Sequence, residues 1–328
     1  SDRLPALETT PMVEIASFRL RAVDLPFRLK FRHAAAVREV SSSLFVSCAT
    51  TEGIVGWGEA LPRPYVTGES QDGAFELLHR SILPRLIGRS FASLDEVRSF
   101  LAACNGKAPA DWVPPDERQC AAWSAVDLAL LDTVGRATGE SVVPVDQAPP
   151  AGLRYSGVIS ADHGWSFAKT LIKQRLFGLR QAKLKVEKST GEEQLRILRR
   201  WFGRGGDVRA DANMAWTADE AVDEMRLMAR FGIRSFEQPL PADDLEGLAR
   251  LVAETGLGVM ADESFSDANS LATLIDRRAC TAVNARISKC GGLVATEQRC
   301  REALDAGLTL QVGCQVGESS LLSSCLLY

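Results

Sequence analysis

Five charged residues in the second half of the chain recur at an almost constant interval. They are Lys185, Asp211, Glu237, Asp262 and Lys289, and their separations are 26, 26, 25 and 27 residues. This interval fits one strand, one helix and their connections in a parallel βα unit. Residues that recur once per unit at the carboxyl ends of barrel strands form a ring at the barrel mouth, where active sites lie. The spacing therefore predicts a parallel barrel with a charged mouth.

The sequence between these positions has the pattern of repeated βα units. Short apolar strands alternate with amphipathic helices that end at glycine. The predicted strands are 153–160, 182–187, 207–213, 235–240, 258–264, 281–288 and 308–314. Seven such units in succession predict a TIM-type barrel. No clear eighth strand follows, so we expect the barrel to be incomplete at its C-terminal end.

The N-terminal part has a different pattern. Residues 13–60 contain alternating runs typical of strands, with a hairpin signal at Thr51–Gly53. Residues 70–138 show apolar recurrence every three to four positions, which indicates helices. Strands followed by helices predict an α+β domain. A Pro-rich boundary near residue 148 gives an N-terminal domain of residues 1–148 and a barrel domain of residues 149–328.

Composition excludes several classes of partner. The 38 basic and 42 acidic residues give a formal net charge of −4, so a general affinity for nucleic acid or anionic membranes is not expected. No apolar run approaches the roughly 20 residues that a membrane span needs. Eight cysteines without a CxxC pair, and no signal peptide, favour the cytoplasm. We expect a small-molecule partner.

The ring positions suggest a metal site. Asp211, Glu237 and Asp262 fall on adjacent strands, where three carboxylates can converge on one hard cation such as Mg²⁺, with Mn²⁺ as an alternative. Lys183 and Lys185 lie two apart on one strand, so both side chains project from the same, inward face. A single acidic residue at a strand end is usually a cap or a surface charge. The five-fold periodicity is what favours a functional site.

The two ring lysines suggest acid–base chemistry. Lys185 and Lys289 fall on the second and sixth strands, which face each other in an eight-stranded barrel, so a metal-bound substrate would have one amine on each face of its α-carbon. Removing a proton next to a carboxylate needs both a base and a cation that neutralises the developing charge. Lys183 is placed to lower the pKa of Lys185. Lys289 is out of phase with its strand, and the following CGG permits the turn that brings it inward.

Five motifs in the barrel half resemble those of the enolase superfamily, specifically its muconate lactonizing enzyme subgroup. They are KLK (183–185), DAN (211–213), EQP (237–239), ADES (261–264) and NARISKCGG (284–292). Residues 52–70 resemble the capping domain of that family, so the resemblance covers nearly the whole chain. It implies an α+β capping domain, a modified TIM-type (β/α)7β barrel, Mg²⁺ on the three carboxylates and catalysis by the two ring lysines. Asn213 and Glu263 match positions that support the metal shell.

The resemblance also implies a class of reaction. Enzymes of the subgroup racemise N-acylamino acids, epimerise dipeptides, cycloisomerise muconates or form o-succinylbenzoate, all through an enolate. The leading hypothesis is a Mg²⁺-dependent racemase or epimerase of an N-acylamino acid or dipeptide. A muconate-type cycloisomerase or an o-succinylbenzoate synthase is the alternative. A non-catalytic binding homologue is less favoured, because both lysines and all three carboxylates are retained. We expect a homo-oligomer.

Several residues near the predicted barrel mouth bear on substrate binding. Arg286 stands where the subgroup commonly carries lysine, which changes the charge around the sixth strand. Arg32, His33 and Tyr65 are candidate substrate contacts from the capping domain, and Glu318 is a candidate after the seventh strand. Charged loops near the mouth favour an anionic or polar substrate, with solvated loop charges as the equal alternative.

Overall fold

The computed structural model describes six stretches of the chain. They are residues 12–33, 36–143, 154–159, 164–187, 191–203 and 206–325, with side chains described outside residues 28–38. Two sheets organise them, one of four antiparallel strands and one of seven parallel strands. Each sheet has its own cluster of buried apolar side chains. The structure therefore confirms an α+β half followed by a barrel half.

The N-terminal half contains the four-stranded sheet and three helices. The strands are β1 (Val13–His33), β2 (Ala36–Thr50), β3 (Val55–Ala60) and β4 (Ser90–Phe91), in the spatial order β3-β2-β1-β4. The helices are α1 (Gln71–Leu77), α2 (Leu94–Cys104) and α3 (Cys120–Thr138), and α1 continues into a π turn (Leu78–Ile82) and a 3-10 turn (Leu83–Arg85). The predicted hairpin joins β2 to β3.

Helix α3 packs closely on β3, and two glycines make this possible. A Cβ at Gly58 would lie 1.9 Å from the carbonyl oxygen of Ala125, and a Cβ at Gly56 would lie 2.3 Å from the backbone nitrogen of Thr133. Only glycine allows backbones to approach this closely. Because α3 is anchored in this way, the side chains on its other faces have fixed positions.

The C-terminal half forms one curved parallel sheet with helices between its strands. The strands are β5 (Ser156–Ile159), β6 (Gln181–Lys185), β7 (Asp207–Asp211), β8 (Ser235–Glu237), β9 (Gly258–Ala261), β10 (Ala282–Ala285) and β11 (Thr309–Val312). The helices are α4 (Gly164–Leu176), α5 (Glu192–Phe202), α6 (Ala218–Arg230), α7 (Leu245–Thr255), α8 (Ala268–Asp276), α9 (Ile287–Cys290), α10 (Leu293–Asp305) and α11 (Ser320–Ser324). All seven predicted strands are present.

The seven strands pair in chain order from β5 to β11, which is the arrangement of a modified TIM barrel. Within the described ranges, β5 and β11 are the outer strands of the sheet and no eighth strand joins them. None of the helices in these ranges is long and apolar enough to cross a membrane. The predicted domain boundary near residue 148 lies outside the described residues and remains a prediction.

A buried carboxyl group, that of Glu69, lies at the N-terminus of α3. Glu69 accepts hydrogen bonds from the backbone nitrogens of Ala121 (2.7 Å) and Ala122 (2.9 Å). Burial raises the pKa of Glu69 from 4.5 to about 7, although these two hydrogen bonds favour the ionised form. The folded chain therefore keeps this carboxyl protonated at pH values where the unfolded chain ionises it.

We expect Glu69→Gln to remove part of the pH dependence of the free energy of unfolding. Between pH 4.5 and 7 the unfolded state loses the Glu69 proton and the folded state keeps it, so the wild type loses stability as the pH rises. At about 1.4 kcal/mol per pKa unit, the wild type should lose about 3 kcal/mol relative to the variant. Urea unfolding at both ends of this window measures the difference.

Glu140 offers a matched control. It accepts a hydrogen bond from the backbone nitrogen of Leu94, the first residue of α2, but it is exposed and its pKa is lowered by this bond. Glu140→Gln should therefore not remove the loss between pH 4.5 and 7. If wild type and Glu69→Gln lose equal stability over this window, Glu69 is not the group responsible.

Candidate active site

Three buried carboxylates stand side by side at the carboxyl ends of β7, β8 and β9. Asp211 and Glu237 are cross-strand neighbours, and Glu237 in turn neighbours Met260, two residues before Asp262. The exposed fraction of each carboxylate residue is 0–1%. The parallel register therefore places the three predicted metal ligands at one edge of the sheet. We call these three residues the carboxylate row.

Both lysines of β6 point into the barrel and reach the row. The Lys183 Nζ lies 2.5 Å from Asp211 Oδ2 and 2.8 Å from Glu237 Oε1. The Lys185 Nζ lies 2.7 Å from the same oxygen of Asp211 and 2.6 Å from Asn213 Oδ1. The two ammonium groups thus share one carboxylate oxygen, which places the positive charges close together.

The two lysines nevertheless differ in acidity. Burial lowers the pKa of Lys185, Asp211 opposes this effect, Lys183 adds to it, and the net direction is downward. Burial also lowers the pKa of Lys183, but Glu237 and Asp211 outweigh it and the net direction is upward. Lys183 therefore stays an ammonium, and Lys185 is the better base of the pair. The sequence predicted that Lys183 lowers the pKa of Lys185. The pKa is lowered, but burial contributes more than Lys183 does.

Lys289 reaches the site from α9, a four-residue helix directly after β10. The sequence suggested a turn after the strand, provided by the CGG; the helical turn that begins at Ile287 already rotates Lys289 inward. Its fully buried ammonium donates to Asp262 O (2.6 Å), Asp262 Oδ1 (2.8 Å) and Asn284 O (2.9 Å). It also lies 5.2 Å from the centre of the Phe265 ring. Lys289 therefore binds the Asp262 end of the row.

Glu237, in the middle of the row, is bonded through both oxygens. Its Oε1 accepts from Lys183 and from Asn284 Nδ2 (2.9 Å), and its Oε2 accepts from Arg209 Nε (2.8 Å). Sequence reasoning missed Arg209 and Asn284 as site residues. Arg209 could have been found, because it lies two residues before Asp211 on the same strand and so faces the same way.

Arg286 places a guanidinium across two members of the row. Its Nη2 donates to Asp262 Oδ2 and lies 3.9 Å from Glu237 Oε1. Burial lowers the pKa of Arg286, but Asp262 and Glu237 more than offset this and raise it. Burial conversely raises the pKa of Asp262, and Arg286 and Lys289 outweigh it and lower it. Asp262 is therefore held as an anion.

Asn213 and Glu263, the predicted supporting residues, lie beside the row. The Asn213 backbone nitrogen donates to Asp211 Oδ1 (3.0 Å), and its side-chain Nδ2 lies 3.4 Å from Glu263 Oε1. The Asn213 Oδ1 is the same atom that accepts from Lys185. Burial and then Asp262 raise the pKa of Glu263 to about 7. Asn213 thus connects the base candidate to a second, weakly acidic carboxyl.

Gln238 holds the ends of β8 and β9 together and was not anticipated. Its Oε1 accepts from the backbone nitrogens of Asp262 (2.9 Å) and Ser264 (3.1 Å), and its Nε2 donates to Ser264 Oγ (2.8 Å). It has a φ of 36°, in the left-handed region that non-glycine residues seldom adopt. Such a conformation leaves no periodic signal in the sequence. Gln238 positions Asp262 within the row.

We expect Gln238→Ala to lower the free energy of unfolding by about 3 kcal/mol, because two buried backbone N–H groups lose their acceptor at about 1–3 kcal/mol each. Urea unfolding measures this cost. Gln71→Ala is the control, since Gln71 makes one hydrogen bond, to Ser43 O, and should cost less than about 1 kcal/mol. Equal costs for the two variants would contradict the bridging role of Gln238.

Four other residues were predicted to contact the substrate. The side chains of Arg32 and His33 lie outside the described residues. Tyr65 lies in the turn after β3 with 37% of its surface exposed. Glu318 follows β11, accepts from the backbone nitrogen of Gln315 (2.6 Å), and has its pKa raised to about 7 by burial. Contacts of these four residues with a substrate remain predictions.

The donor chemistry of the row fits a hard divalent cation. Three buried carboxylates on adjacent strands offer the oxygen ligands that Mg²⁺ prefers. In the side-chain arrangement seen here, no group of three Asp, Glu, His or Cys residues of the described ranges surrounds a single point. Each carboxylate of the row is bonded to a lysine or an arginine instead. These lysines and arginines lie beside the carboxylates that would hold the ion.

The sequence of the chain matches two domain profiles. The "Mandelate racemase / muconate lactonizing enzyme, N-terminal domain" profile matches residues 16–145, and the "Enolase C-terminal domain-like" profile matches residues 167–327. Among proteins of known activity, an N-succinyl-L-Arg/Lys racemase of Bacillus cereus is 28% identical over 95% of this chain and 82% of its own length. Muconate cycloisomerase 1 of Rhodococcus opacus is 27% identical over 92% and 79%, respectively.

Solved structures show the same similarity. A dipeptide epimerase from Methylococcus capsulatus, complexed with Mg and the dipeptide L-Arg-D-Lys, superimposes with a TM-score of 0.81. It is 28% identical in sequence, and the match covers 96% of this chain and 86% of that one. The similarity therefore extends over both halves of the structure, including the strands that carry the carboxylate row.

Proposed function

Because the chain belongs to the mandelate racemase/muconate lactonizing enzyme family of the enolase superfamily, we propose that it racemises or epimerises a carboxylate substrate by moving its α-proton. The relatives are racemases, epimerases and cycloisomerases, and the chain is an isomerase of the same superfamily. One observation carries the proposal: two lysines, Lys185 and Lys289, bind opposite ends of a buried row of three carboxylates.

The carboxylate row would hold Mg²⁺. Asp211, Glu237 and Asp262 supply the oxygen ligands, and structural neighbours are complexed with Mg and dipeptides. A bound ion would neutralise the negative charge that develops on the substrate carboxylate when the α-proton leaves. Lys183 lowers the pKa of Asp211 and Arg286 lowers that of Asp262, which favours the ionised form of these two ligands. Mn²⁺, which prefers similar oxygen ligands, remains the alternative.

The lysines would move the proton. Lys185, whose pKa is lowered, is suited to accept a proton near neutral pH. Lys289 is fixed by three hydrogen bonds at the other end of the row and is placed to act on the opposite face of the α-carbon. Removal by one lysine and return by the other inverts the configuration. In the reverse reaction the two lysines would exchange the roles of base and acid, so that either enantiomer is converted into the other.

The proposed substrate is an N-acylamino acid or a dipeptide. The relatives that point to it are the N-succinyl-L-Arg/Lys racemase and the dipeptide epimerase described above. An N-succinylamino acid and the C-terminal residue of a dipeptide share one feature, an acylated nitrogen on the α-carbon next to the carboxylate. The cycloisomerase relative is similar over a comparable length, so muconate chemistry is the competing outcome of the activity test. A cytoplasmic location and a homo-oligomeric state remain predictions from the sequence.

The metal assignment predicts that Glu237→Gln weakens Mn²⁺ or Mg²⁺ binding by roughly 100-fold or more, because one of three anionic ligands is lost. Calorimetric titration of the purified protein measures the affinity without any substrate. Glu246→Gln on the exposed surface of α7 is the control and should bind the metal like the wild type. Unchanged affinity in Glu237→Gln would place the metal elsewhere.

The two-base assignment predicts opposite defects in two variants. In D₂O, Lys289→Ala should abolish racemisation but still exchange the α-proton of one enantiomer of N-succinylarginine. Lys185→Ala should exchange only the other enantiomer. Each surviving lysine removes and returns a proton on its own face, whereas inversion needs both faces. Proton NMR of the separate L and D substrates follows both reactions.

Two results would change the proposal. If either single variant racemises at a rate near that of the wild type, the two-base assignment is wrong. If the wild type exchanges neither enantiomer of N-succinylarginine or of a dipeptide but cyclises a muconate, the cycloisomerase alternative takes its place.

A further inference from the structure

Helix α9, which carries Lys289, is held by the N-terminal half of the chain. The Ser288 Oγ accepts a hydrogen bond from the backbone nitrogen of Leu61 (3.1 Å), just after β3. Ile287 is buried in a small apolar cluster with Leu61, with Leu128 of α3 and with Leu322. Ile287 and Ser288 therefore pack on the N-terminal half, and Lys289 is the next residue.

The two glycines after α9 lie in close contact with the N-terminal half. A Cβ at Gly291 would lie 2.0 Å from Gly106 O, and a Cβ at Gly292 would lie 2.4 Å from Asp127 Cγ. Both glycines have positive φ, 86° and 114°. Glycine is thus required here both by conformation and by the approach of α2–α3 residues, so the CGG segment is a contact surface between domains.

Asp127 of α3 lies at the centre of this contact. It is 1% exposed, and its Oδ1 accepts from the backbone nitrogen of Leu293 (2.7 Å), the first residue of α10. The N-cap residue of α10 is Gly292, which offers no side chain to cap the helix. A carboxyl oxygen from the N-terminal half therefore caps a barrel helix, the role that a side-chain oxygen of the N-cap residue usually has.

Lys185 is held in a different way. It lies within β6 in register with Asp211 of β7, and its ammonium binds Asp211 and Asn213, all within the barrel half. Lys289 instead lies between two points fixed by the N-terminal half, the Leu61–Ser288 bond before it and the Asp127–Leu293 bond after it. Only one of the two proposed bases thus depends on the other domain for its position.

We propose that Asp127 is a positioning residue for Lys289, and that it controls proton transfer on the Lys289 face of the substrate while leaving the Lys185 face unaffected. This inference rests on the proposed function. A displacement of about 1 Å of a reacting group costs up to roughly 100-fold in rate, so loss of one anchor is enough to slow one face. Asp127 touches neither the carboxylate row nor a lysine in the hydrogen bonds that define the site.

Three substitutions separate loss of the hydrogen bond to Leu293 from a general effect on α3. Asp127→Ala removes the acceptor of Leu293 N, whereas Asp127→Asn keeps an oxygen acceptor of the same shape. Burial raises the pKa of Asp127 to about 7, so a neutral side chain is tolerated there. Ser124→Ala, one turn earlier on α3, is the matched control, because the Ser124 hydroxyl bonds Ala121 O and Glu59 O and not the α9–α10 segment.

The first measurement is exchange of the α-proton in D₂O, with N-succinyl-L-arginine and N-succinyl-D-arginine as separate probes. The Lys185→Ala variant identifies the enantiomer that Lys289 serves. Asp127→Ala should slow exchange of that enantiomer about tenfold or more and change the other less than about threefold. Asp127→Asn should recover most of the rate, and Ser124→Ala should match the wild type. Equal slowing of both enantiomers would mean a general structural role and overturn the proposal.

The second measurement does not depend on activity. Backbone amide hydrogen exchange followed by mass spectrometry should become faster in Asp127→Ala for peptides covering 286–296 and stay unchanged for those covering 181–187. Unchanged exchange in 286–296 would overturn the proposal even in an active enzyme. If the wild type exchanges neither enantiomer, the proposed function fails, and the amide exchange still decides whether Asp127 holds this segment.

A second variant covers the case in which Asp127→Ala does not fold. Gly292→Ala disturbs the same contact from the barrel side, because the new Cβ would lie 2.4 Å from Asp127 Cγ. It should produce the same loss on the Lys289 face and the same faster amide exchange in 286–296. If it lowers exchange of both enantiomers equally, the contact does not act through Lys289.

Discussion

Three carboxylates cannot be buried side by side without positive charge close to them. Removing one partner of a buried ion pair costs about 3–5 kcal/mol, since the remaining charge is left uncompensated. In this structure Asp211 is neutralised by Lys183 and Lys185, and Asp262 by Arg286 and Lys289. The proposed bases are therefore also counter-ions that allow the barrel to fold around its carboxylates.

The two proposed bases are built into the protein by different means. Lys185 is part of a strand, and its direction follows from the alternation of side chains along β6. Lys289 sits on a short helix after a strand, and its direction depends on where that helix is packed. A strand position is fixed by the ladder of its own sheet, whereas the helix needs contacts from outside the barrel. The site thus combines one locally determined base with one that depends on tertiary contacts.

This difference explains which parts of the site the sequence could predict. A repeat of about 26 residues is enough to place the row and Lys185, because barrel strands repeat regularly in sequence and in space. The same alternation could have found Arg209. The repeat also selected Lys289, but the alternation of side chains could not give its direction, because Lys289 is out of phase with β10. The alternation also gave no signal for Gln238, whose left-handed backbone interrupts the pattern. Strand periodicity describes residues within strands, and Gln238 and Lys289 follow the ends of β8 and β10.

The glycines after Lys289 show a further limit of local reasoning. In the sequence, CGG indicates a turn, and the positive φ of Gly291 and Gly292 agrees with that interpretation. Their second role depends on distant residues, Gly106 for Gly291 and Asp127 for Gly292. Asp127 is 166 residues away in the chain from Leu293, whose backbone nitrogen it binds. No window of neighbouring residues contains that information. A glycine pair at this position satisfies both a backbone conformation and a contact between the two halves of the chain. The two halves are therefore in contact at the segment that carries Lys289, because Leu61 and Asp127 of the N-terminal half bind residues on either side of it.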